Sequence, residues 1–125
     1  MILGIGMDII ETGRIERATL RLGDRFLSRV FTPSERNYCM GKSTPWNSLA
    51  ARFAAKEAAF KALGRGWPDC GGYTSVEVLM DDNGRPGLDF HGRAGMIAQI
   101  LGVRNALVSL THDGGCSAAV VILES

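Results

Sequence analysis

The stretch SLAARFAAKEAAFKAL at residues 48–63 is the most informative segment of the chain. Its alanines and large apolar residues cover most of a helical circumference, which predicts a long helix that is largely buried. Thr44 and Pro45 provide a start for this helix, and Gly64 provides its end. We therefore expect a central helix around which the rest of the chain packs.

Shorter elements are predicted on both sides of this helix. Residues 32–35, TPSE, form a capping box with proline at the first helical position. Gly23 and Asp24 mark a break in the preceding helical segment, where Asp24 is suited to cap a second helix. The predicted elements are, in order, a strand at 2–10, helical residues 12–31, a helix at 33–42, the central helix, strands at 74–80 and 87–90, a helix at 94–101, and strands at 105–111 and 117–123.

The order of these elements predicts the fold class. Strands separated by helices, with two probable hairpins in the second half, indicate an α+β fold with a mostly antiparallel sheet packed against the long central helix. A chain of 125 residues has room for one hydrophobic core. We therefore expect residues 1–125 to form a single domain.

The composition excludes several classes of protein. Apolar residues make up 46% and charged residues 22% of the chain, which is typical of a globular domain. No apolar run approaches the ~20 residues of a membrane span. Residues 1–10 lack the basic segment and cleavage site of a signal peptide, and the three cysteines show no C-x-x-C spacing. We expect a cytoplasmic protein with reduced thiols and no membrane partner.

The net charge of +1 conceals an uneven distribution of charge. Residues 1–65 contain 11 basic and 6 acidic residues, whereas residues 66–125 contain 3 and 7. Four arginines of the predicted helical segment fall within an arc of roughly 80°. These are Arg14, Arg17, Arg21 and Arg25. Such a stripe is either a solvated face or a surface that binds an anionic partner.

Two carboxylates stand out on the predicted strand and the central helix. Asp8 shares one face of the strand with Gly4 and Gly6, and glycines inside a strand mark the close approach of another backbone or of a ligand. Glu57 lies among apolar residues and needs a partner, because an unpaired buried carboxylate is unfavourable. One interpretation is an ion pair between Glu57 and Lys61, four residues later.

The other interpretation is a metal–phosphate site. Asp8 and Glu57 would hold a hard cation such as Mg²⁺, and Lys61 would face phosphate oxygens. Further positive charges would come from Lys42, Arg52 and Lys56. His112, at the start of a glycine-rich turn, is either a surface histidine or a phosphate contact.

Two motifs resemble those of the 4′-phosphopantetheinyl transferases. GIGMDIIE at 4–11, with Arg14, resembles the first family signature, and RFAAKEAAFKA at 52–62 resembles the second, W/F-x-x-K-E-x-x-x-K. NGRP at 83–86 and VSLTH at 108–112 extend the resemblance over nearly the whole chain. The short length resembles the holo-acyl-carrier-protein synthase branch. One departure is the short loop at 113–116, DGGC, where many relatives have a longer polar and aromatic stretch.

The resemblance implies a reaction and a set of site residues. Family members transfer 4′-phosphopantetheine from coenzyme A to a serine of apo-acyl carrier protein and release adenosine 3′,5′-bisphosphate, a step that supports fatty acid biosynthesis. By this resemblance, Asp8 and Glu57 bind Mg²⁺ and Lys61 neutralises the diphosphate and assists the leaving group. Coenzyme A contacts would come from Lys42, Arg52, Lys61, Gly64 and His112.

The same resemblance assigns the arginine stripe to acyl carrier protein, with Phe26 as an apolar contact beside it. It also implies a homotrimer whose active sites lie at subunit interfaces. The group that removes the serine proton stays open between a water molecule held near the two carboxylates and His112. One alternative is a non-enzymatic module that binds an acidic protein or nucleic acid through the arginines, although the stripe lacks the interleaved aromatics of single-strand binders. Another is a different Mg²⁺-dependent phosphoryl-transfer or phosphodiester enzyme.

Overall fold

The chain folds around its central helix in the predicted order of elements. The computed structural model describes residues 1–125. The elements are β1 (Ile2–Glu11), α1 (Thr12–Leu22), α2 (Asp24–Val30), α3 (Pro33–Met40), α4 (Trp46–Leu63), β2 (Val76–Met80), β3 (Pro86–Phe90), α5 (Gly92–Leu101), β4 (Asn105–Asp113) and β5 (Cys116–Glu124). Several predicted boundaries are off by two residues: α3 ends at Met40 instead of residue 42, α5 begins at Gly92 instead of residue 94, and β4 ends at Asp113 instead of residue 111. Thr74 and Ser75 belong to a short 3₁₀ turn, Tyr73–Ser75, instead of the strand that follows.

Local signals account for the ends of the helices. The predicted capping box is confirmed. The Thr32 hydroxyl accepts a hydrogen bond from the backbone amide of Glu35, and the Glu35 carboxylate accepts one from the backbone amide of Thr32. Gly64 ends α4 in the left-handed conformation, with φ of 75°, as expected of a C-terminal glycine. Gly23, with φ of 64°, separates α1 from α2.

The predicted α+β architecture is confirmed, and its strands form two antiparallel sheets. The larger sheet has the order β1-β5-β4, and the smaller is the β2-β3 hairpin. Helix α4 packs across β1 and β5 on one face of the larger sheet. Most of the helix is buried, as its composition predicted. No helix has the length and apolar character that crossing a membrane requires.

The contact between β1 and α4 is unusually close. A Cβ placed on Gly4 would lie 2.1 Å from the carbonyl oxygen of Ala62, and one on Gly6 would lie 1.9 Å from that of Ala58. The predicted close approach at these glycines is therefore confirmed, and the approaching backbone is that of the central helix. This contact places Asp8, on the same face of β1, beside α4.

The opposite face of the larger sheet is apolar and exposed. On β1, Ile5, Met7 and Ile9 are 65%, 70% and 67% exposed. They are paired with Ile122, Val120 and Ala118 of β5. Monomeric proteins rarely expose a contiguous apolar face of this kind.

Candidate active site

Asp8 and Lys61 meet where β1 crosses α4. The Lys61 ammonium donates to Asp8 Oδ1 at 3.1 Å and to the Met7 carbonyl at 3.0 Å. The Lys61 side chain is 55% exposed and that of Asp8 is 20% exposed. Lys61 therefore keeps an accessible ammonium donor beside a carboxylate at the surface.

Glu57 is half-buried one turn before Lys61. The ion pair between them, which was one of the two interpretations of the sequence, does not form, because the Lys61 ammonium is directed to Asp8. The Tyr73 hydroxyl instead donates to Glu57 Oε1 at 2.6 Å. Burial, the hydrogen bond to Glu57 and the charges of Glu57 and Asp8 raise the pKa of Tyr73 far above its ordinary value. The raised pKa keeps the phenol protonated, and therefore a hydrogen-bond donor, well above neutral pH.

The two carboxylates have the chemistry of a magnesium site. Asp8 uses Oδ1 for Lys61 and Glu57 uses Oε1 for Tyr73, so each retains one oxygen without a hydrogen-bond partner in the protein. Asp8 contacts Lys61, which lies one helical turn after Glu57 on α4. Mg²⁺ binds through one or two carboxylates together with waters and phosphate oxygens. The donor set of Asp8 and Glu57 therefore fits this ion.

A second cluster lies near the beginning of α4. Arg52 and His112 line one cavity of about 150 Å³, together with Ser48. Arg52 is only 2% exposed, and its Nε has no hydrogen-bond partner although it is buried. The Arg52 guanidinium and the Lys42 ammonium both lie over the ring of Tyr38, at 4.5 and 4.8 Å from its centroid. The structure therefore brings Lys42, Arg52 and His112 to one region.

The arginine stripe is divided between two helices. Arg14, Arg17 and Arg21 are exposed on α1, whereas Arg25 lies on α2 after the turn at Gly23. Arg17 approaches Glu11 at 3.9 Å, but both side chains are so exposed that this pair neutralises little. All four arginine side chains are exposed to solvent.

One arginine of the stripe, Arg25, lines a largely apolar groove of about 560 Å³. Phe26 and Arg25 line it from α2, and Trp67 and Tyr73 line it from the segment between α4 and β2. Leu22, at the end of α1, is 48% exposed and also lines this groove. Tyr73 connects the groove with Glu57.

Lys56 was wrongly predicted to supply accessible charge for phosphate. Its side chain is fully buried and pairs with the equally buried Glu35 at 2.8 Å. Its ammonium also donates to the carbonyls of Tyr73 and Val76. Burial lowers the pKa of Lys56, and the pairing with Glu35 opposes this shift. Lys56 therefore ties α4 to α3 and to the 3₁₀ turn.

A different acidic cluster occurs at the β2-β3 hairpin. Ligand atoms of Glu77, Asp89 and His91 lie within 4.8 Å of one another. Burial acts to raise the pKa of Glu77, but hydrogen bonds from Ser34, Thr32 and His91 lower it to about 2. The Glu77 carboxylate is already satisfied by these partners, which explains the cluster without a metal ion.

The fold and the cluster at the β1–α4 crossing define the class of protein. Two carboxylates and an accessible lysine on an α+β scaffold are suited to an enzyme that acts on a phosphate-bearing substrate. The family model of the 4′-phosphopantetheinyl transferase superfamily matches residues 4–119, and the chain belongs to this superfamily.

Individual relatives are similar over the full length of the chain. Holo-[acyl-carrier-protein] synthase of Koribacter versatilis (strain Ellin345) is 48% identical over 124 residues, which cover 99% of each chain. The crystal structure of holo-[acyl-carrier-protein] synthase from Neisseria meningitidis superposes with a TM-score of 0.91, at 31% identity and 100% coverage of both chains. A holo-(acyl-carrier-protein) synthase from Bacillus anthracis in complex with CoA (3′,5′-ADP) is 36% identical with a TM-score of 0.82, covering 100% of this chain and 98% of that one.

Proposed function

We propose that this chain transfers the 4′-phosphopantetheine group from coenzyme A to a serine of apo-acyl carrier protein. The observation that carries the proposal is the grouping of Asp8, Glu57 and Lys61 at the β1–α4 crossing in a member of the transferase superfamily. The products are holo-acyl carrier protein and adenosine 3′,5′-bisphosphate. This activity supplies the carrier that fatty acid biosynthesis requires.

The reaction is a substitution at phosphorus. The serine oxygen forms a bond to the pantetheine-bearing phosphorus of the diphosphate, and the bond from that phosphorus to the bridging oxygen breaks. The bridging oxygen and its electron pair leave with the nucleotide, and the serine proton passes to a base. Lys61, held by Asp8 and the Met7 carbonyl, would neutralise the diphosphate and the charge that develops on the leaving oxygen.

Asp8 and Glu57 are the proposed ligands of Mg²⁺ in this site. When bound, the ion would offset the negative charge of the diphosphate oxygens. The carboxylates have the further task of fixing where that positive charge lies relative to Lys61. Their different partners keep them in separate orientations, because Asp8 accepts from an ammonium and Glu57 from a phenol.

The nucleotide end of coenzyme A is proposed to bind near Arg52 and His112. Arg52 lines a small cavity and its buried Nε has no hydrogen-bond partner in the protein, so an anionic ligand in this cavity would offset the charge of the guanidinium. Lys42 lies against the same tyrosine ring as Arg52 and adds positive charge. Gly64, exposed immediately beyond the C-terminal turn of α4 that carries Lys61, completes the proposed set.

The carrier protein is proposed to dock on the exposed arginines and the neighbouring groove. The docking residues are Arg14, Arg17, Arg21, Arg25 and Phe26. Acyl carrier proteins are acidic, so these charges would accelerate association and make it sensitive to salt. The same residues would also form the binding surface of the alternative, a non-enzymatic module that binds an acidic partner. That alternative assigns no role to Glu57.

The proposed assembly is a homotrimer that works in the cytoplasm. The exposed apolar face of the β1-β5-β4 sheet supports self-association, because pairing of this face would remove several large side chains from water. The three free thiols suit a reducing compartment. With active sites between subunits, a chain of this size can surround two large substrates.

The decisive experiment weighs the carrier after incubation. Purified protein, coenzyme A, Mg²⁺ and apo-acyl carrier protein should give a carrier heavier by one phosphopantetheine group, and Glu57→Gln should abolish the gain while preserving the fold. Glu124→Gln, at the far end of β5, is the matched control and should react normally. Absence of any mass gain in the wild type would refute the proposal.

A second experiment separates the enzyme from a simple binding module. Reversing the charges of Arg14 and Arg21 should weaken the affinity for the carrier and leave coenzyme A binding intact. A protein that binds the carrier but shows no affinity for coenzyme A would support the module instead.

A further inference from the structure

Tyr73 is held firmly by its surroundings at the edge of the proposed active site. Its ring stacks on Phe53 at 5.3 Å and on Trp67 at 5.5 Å, with interplanar angles of 25° and 22°. Phe60 meets it edge-on at 5.6 Å. Its backbone carbonyl accepts a hydrogen bond from the buried Lys56 at 3.1 Å. Both the ring plane and the main chain of Tyr73 are thus fixed before any ligand arrives.

This fixed ring directs a hydroxyl to one oxygen of Glu57. The bond to Oε1 is 2.6 Å long, within the range of charge-assisted hydrogen bonds. A glutamate on a helix has several accessible rotamers, so a single firm donor selects among them. With Oε1 engaged, Oε2 is the oxygen left for a cation.

The hydroxyl also prevents a competing ion pair. Glu57 and Lys61 stand four residues apart on α4 in the order that favours a side-chain ion pair. That pair is absent, because Tyr73 holds Glu57 and Asp8 holds Lys61. If Glu57 turned to Lys61, the carboxylate would be withdrawn from the cation and the ammonium from the diphosphate.

We infer that Tyr73 is a positioning residue, which orients the Glu57 carboxylate toward a divalent cation and keeps it from pairing with Lys61. This inference rests on the proposed function for the identity of the cation site. Tyr73 acts through Glu57 and need not touch the reacting atoms. Partners that orient a metal ligand typically contribute 10- to 100-fold to metal affinity or activity.

The test compares Tyr73→Phe with the wild type. Phenylalanine preserves the stacking and removes only the donor, so the variant should fold normally. Mn²⁺ serves as a direct probe, and its binding in the presence of coenzyme A is measured by electron paramagnetic resonance. We expect the dissociation constant of Mn²⁺ to rise by about tenfold. The Mg²⁺ concentration for half-maximal transfer should rise in parallel, and kcat at saturating Mg²⁺ should change by less than about threefold.

Ser75→Ala is the matched control. It removes a hydroxyl from the same 3₁₀ turn, where Ser75 donates to the Gly72 carbonyl, and does not touch Glu57. Its Mn²⁺ affinity should equal that of the wild type. Equal weakening in Ser75→Ala and Tyr73→Phe would assign the effect to the turn as a whole and overturn the positioning role.

The outcomes separate the two proposals. A wild type that transfers phosphopantetheine, with a Tyr73→Phe variant of unchanged Mn²⁺ affinity and Mg²⁺ dependence, would overturn the role of Tyr73 and leave the proposed function standing. A wild type that binds Mn²⁺ tenfold more tightly than the variant, yet transfers nothing, would support Tyr73 as the orienting residue and refute the transferase. A wild type that binds no Mn²⁺ would refute the inference directly.

Discussion

Replacing Gly6 by alanine should separate β1 from α4. The new Cβ would lie 1.9 Å from the Ala58 carbonyl oxygen and 2.9 Å from the Ala62 nitrogen, whereas real Cβ contacts below 3.0 Å essentially never occur. The backbones must therefore move apart by about 1 Å, and no side-chain rotation relieves the clash because both atoms belong to the helix backbone. Overpacking costs about 1–3 kcal/mol, and we expect the upper end. For a chain of this length, about 3 kcal/mol lowers Tm by roughly 12 °C.

The same displacement should impair the proposed reaction. Asp8 follows Gly6 on one face of β1, and Lys61 is one turn beyond Ala58 on α4. A shift of about 1 Å would stretch the 3.1 Å contact between Lys61 and Asp8 beyond hydrogen-bonding distance. Misplacement on this scale costs about 100-fold in rate. Thermal denaturation and the carrier mass assay, run at a temperature at which the variant is folded, measure the two effects.

Gly87→Ala is the control for this substitution. Gly87 also lies in a strand, but a Cβ there would have its nearest neighbour, the Leu79 carbonyl oxygen, at 4.0 Å. This variant should retain full activity and gain stability, by up to about 1 kcal/mol, because alanine restricts the unfolded chain. The predicted effect of Gly6→Ala would be refuted if this variant had an unfolding free energy within about 0.5 kcal/mol of the wild type and a transfer rate within about threefold. The close contact between β1 and α4 would then not determine the geometry of the site.

Three further substitutions test other parts of the molecule. Lys56→Met leaves the buried Glu35 carboxylate without its charged partner and should lower the free energy of unfolding, measured by urea denaturation, by about 3–5 kcal/mol. A decrease of less than about 1 kcal/mol would contradict this prediction. Glu77→Gln should have a lower free energy of unfolding than the wild type at pH 6. This difference should shrink from about pH 4.5 toward pH 2, because Glu77, with its lowered pKa, stabilises the fold only while its carboxylate is ionised. A difference in unfolding free energy that does not change with pH would contradict this role of Glu77. Ile5→Glu places a charge on the exposed sheet face and should give a 13.4 kDa species by light scattering, where the wild type should have three times that mass; an unchanged assembly would exclude this face as the interface.

The elements of the fold were predictable because their signals are local. The capping box at Thr32 and the terminal glycine at Gly64 each act within one helical turn, and both work as expected. The division of the strands into two sheets depends on how distant segments pack, and no local pattern encodes it. The 3₁₀ turn that replaces the start of β2 follows Gly71 and Gly72, whose φ values of 86° and 103° are set by the folded loop.

The sequence predicted which charged residues form the candidate site, but it did not predict the hydrogen-bond partners of these residues. The glycines of β1 and the charges of α4 indicated Asp8, Glu57 and Lys61, but helical spacing favoured the pairing of Glu57 with Lys61. Tertiary contacts override that local preference through Asp8 and Tyr73. The only sequence signal for Tyr73 is an aromatic residue directly after two glycines, which does not specify where its hydroxyl points.

Neighbouring residues of α4 connect the stability of the fold to the geometry of the site. Lys56 and Glu57 lie about 100° apart on the helix, so Lys56 is fully buried in the interior while Glu57 is only half-buried. Both bind the same residue, because Lys56 donates to the Tyr73 carbonyl and Glu57 accepts from the Tyr73 hydroxyl. Loss of the Lys56–Glu35 pair should therefore loosen the turn that carries Tyr73. In Lys56→Met, Mn²⁺ affinity should fall along with stability, whereas Glu77→Gln should lower stability alone.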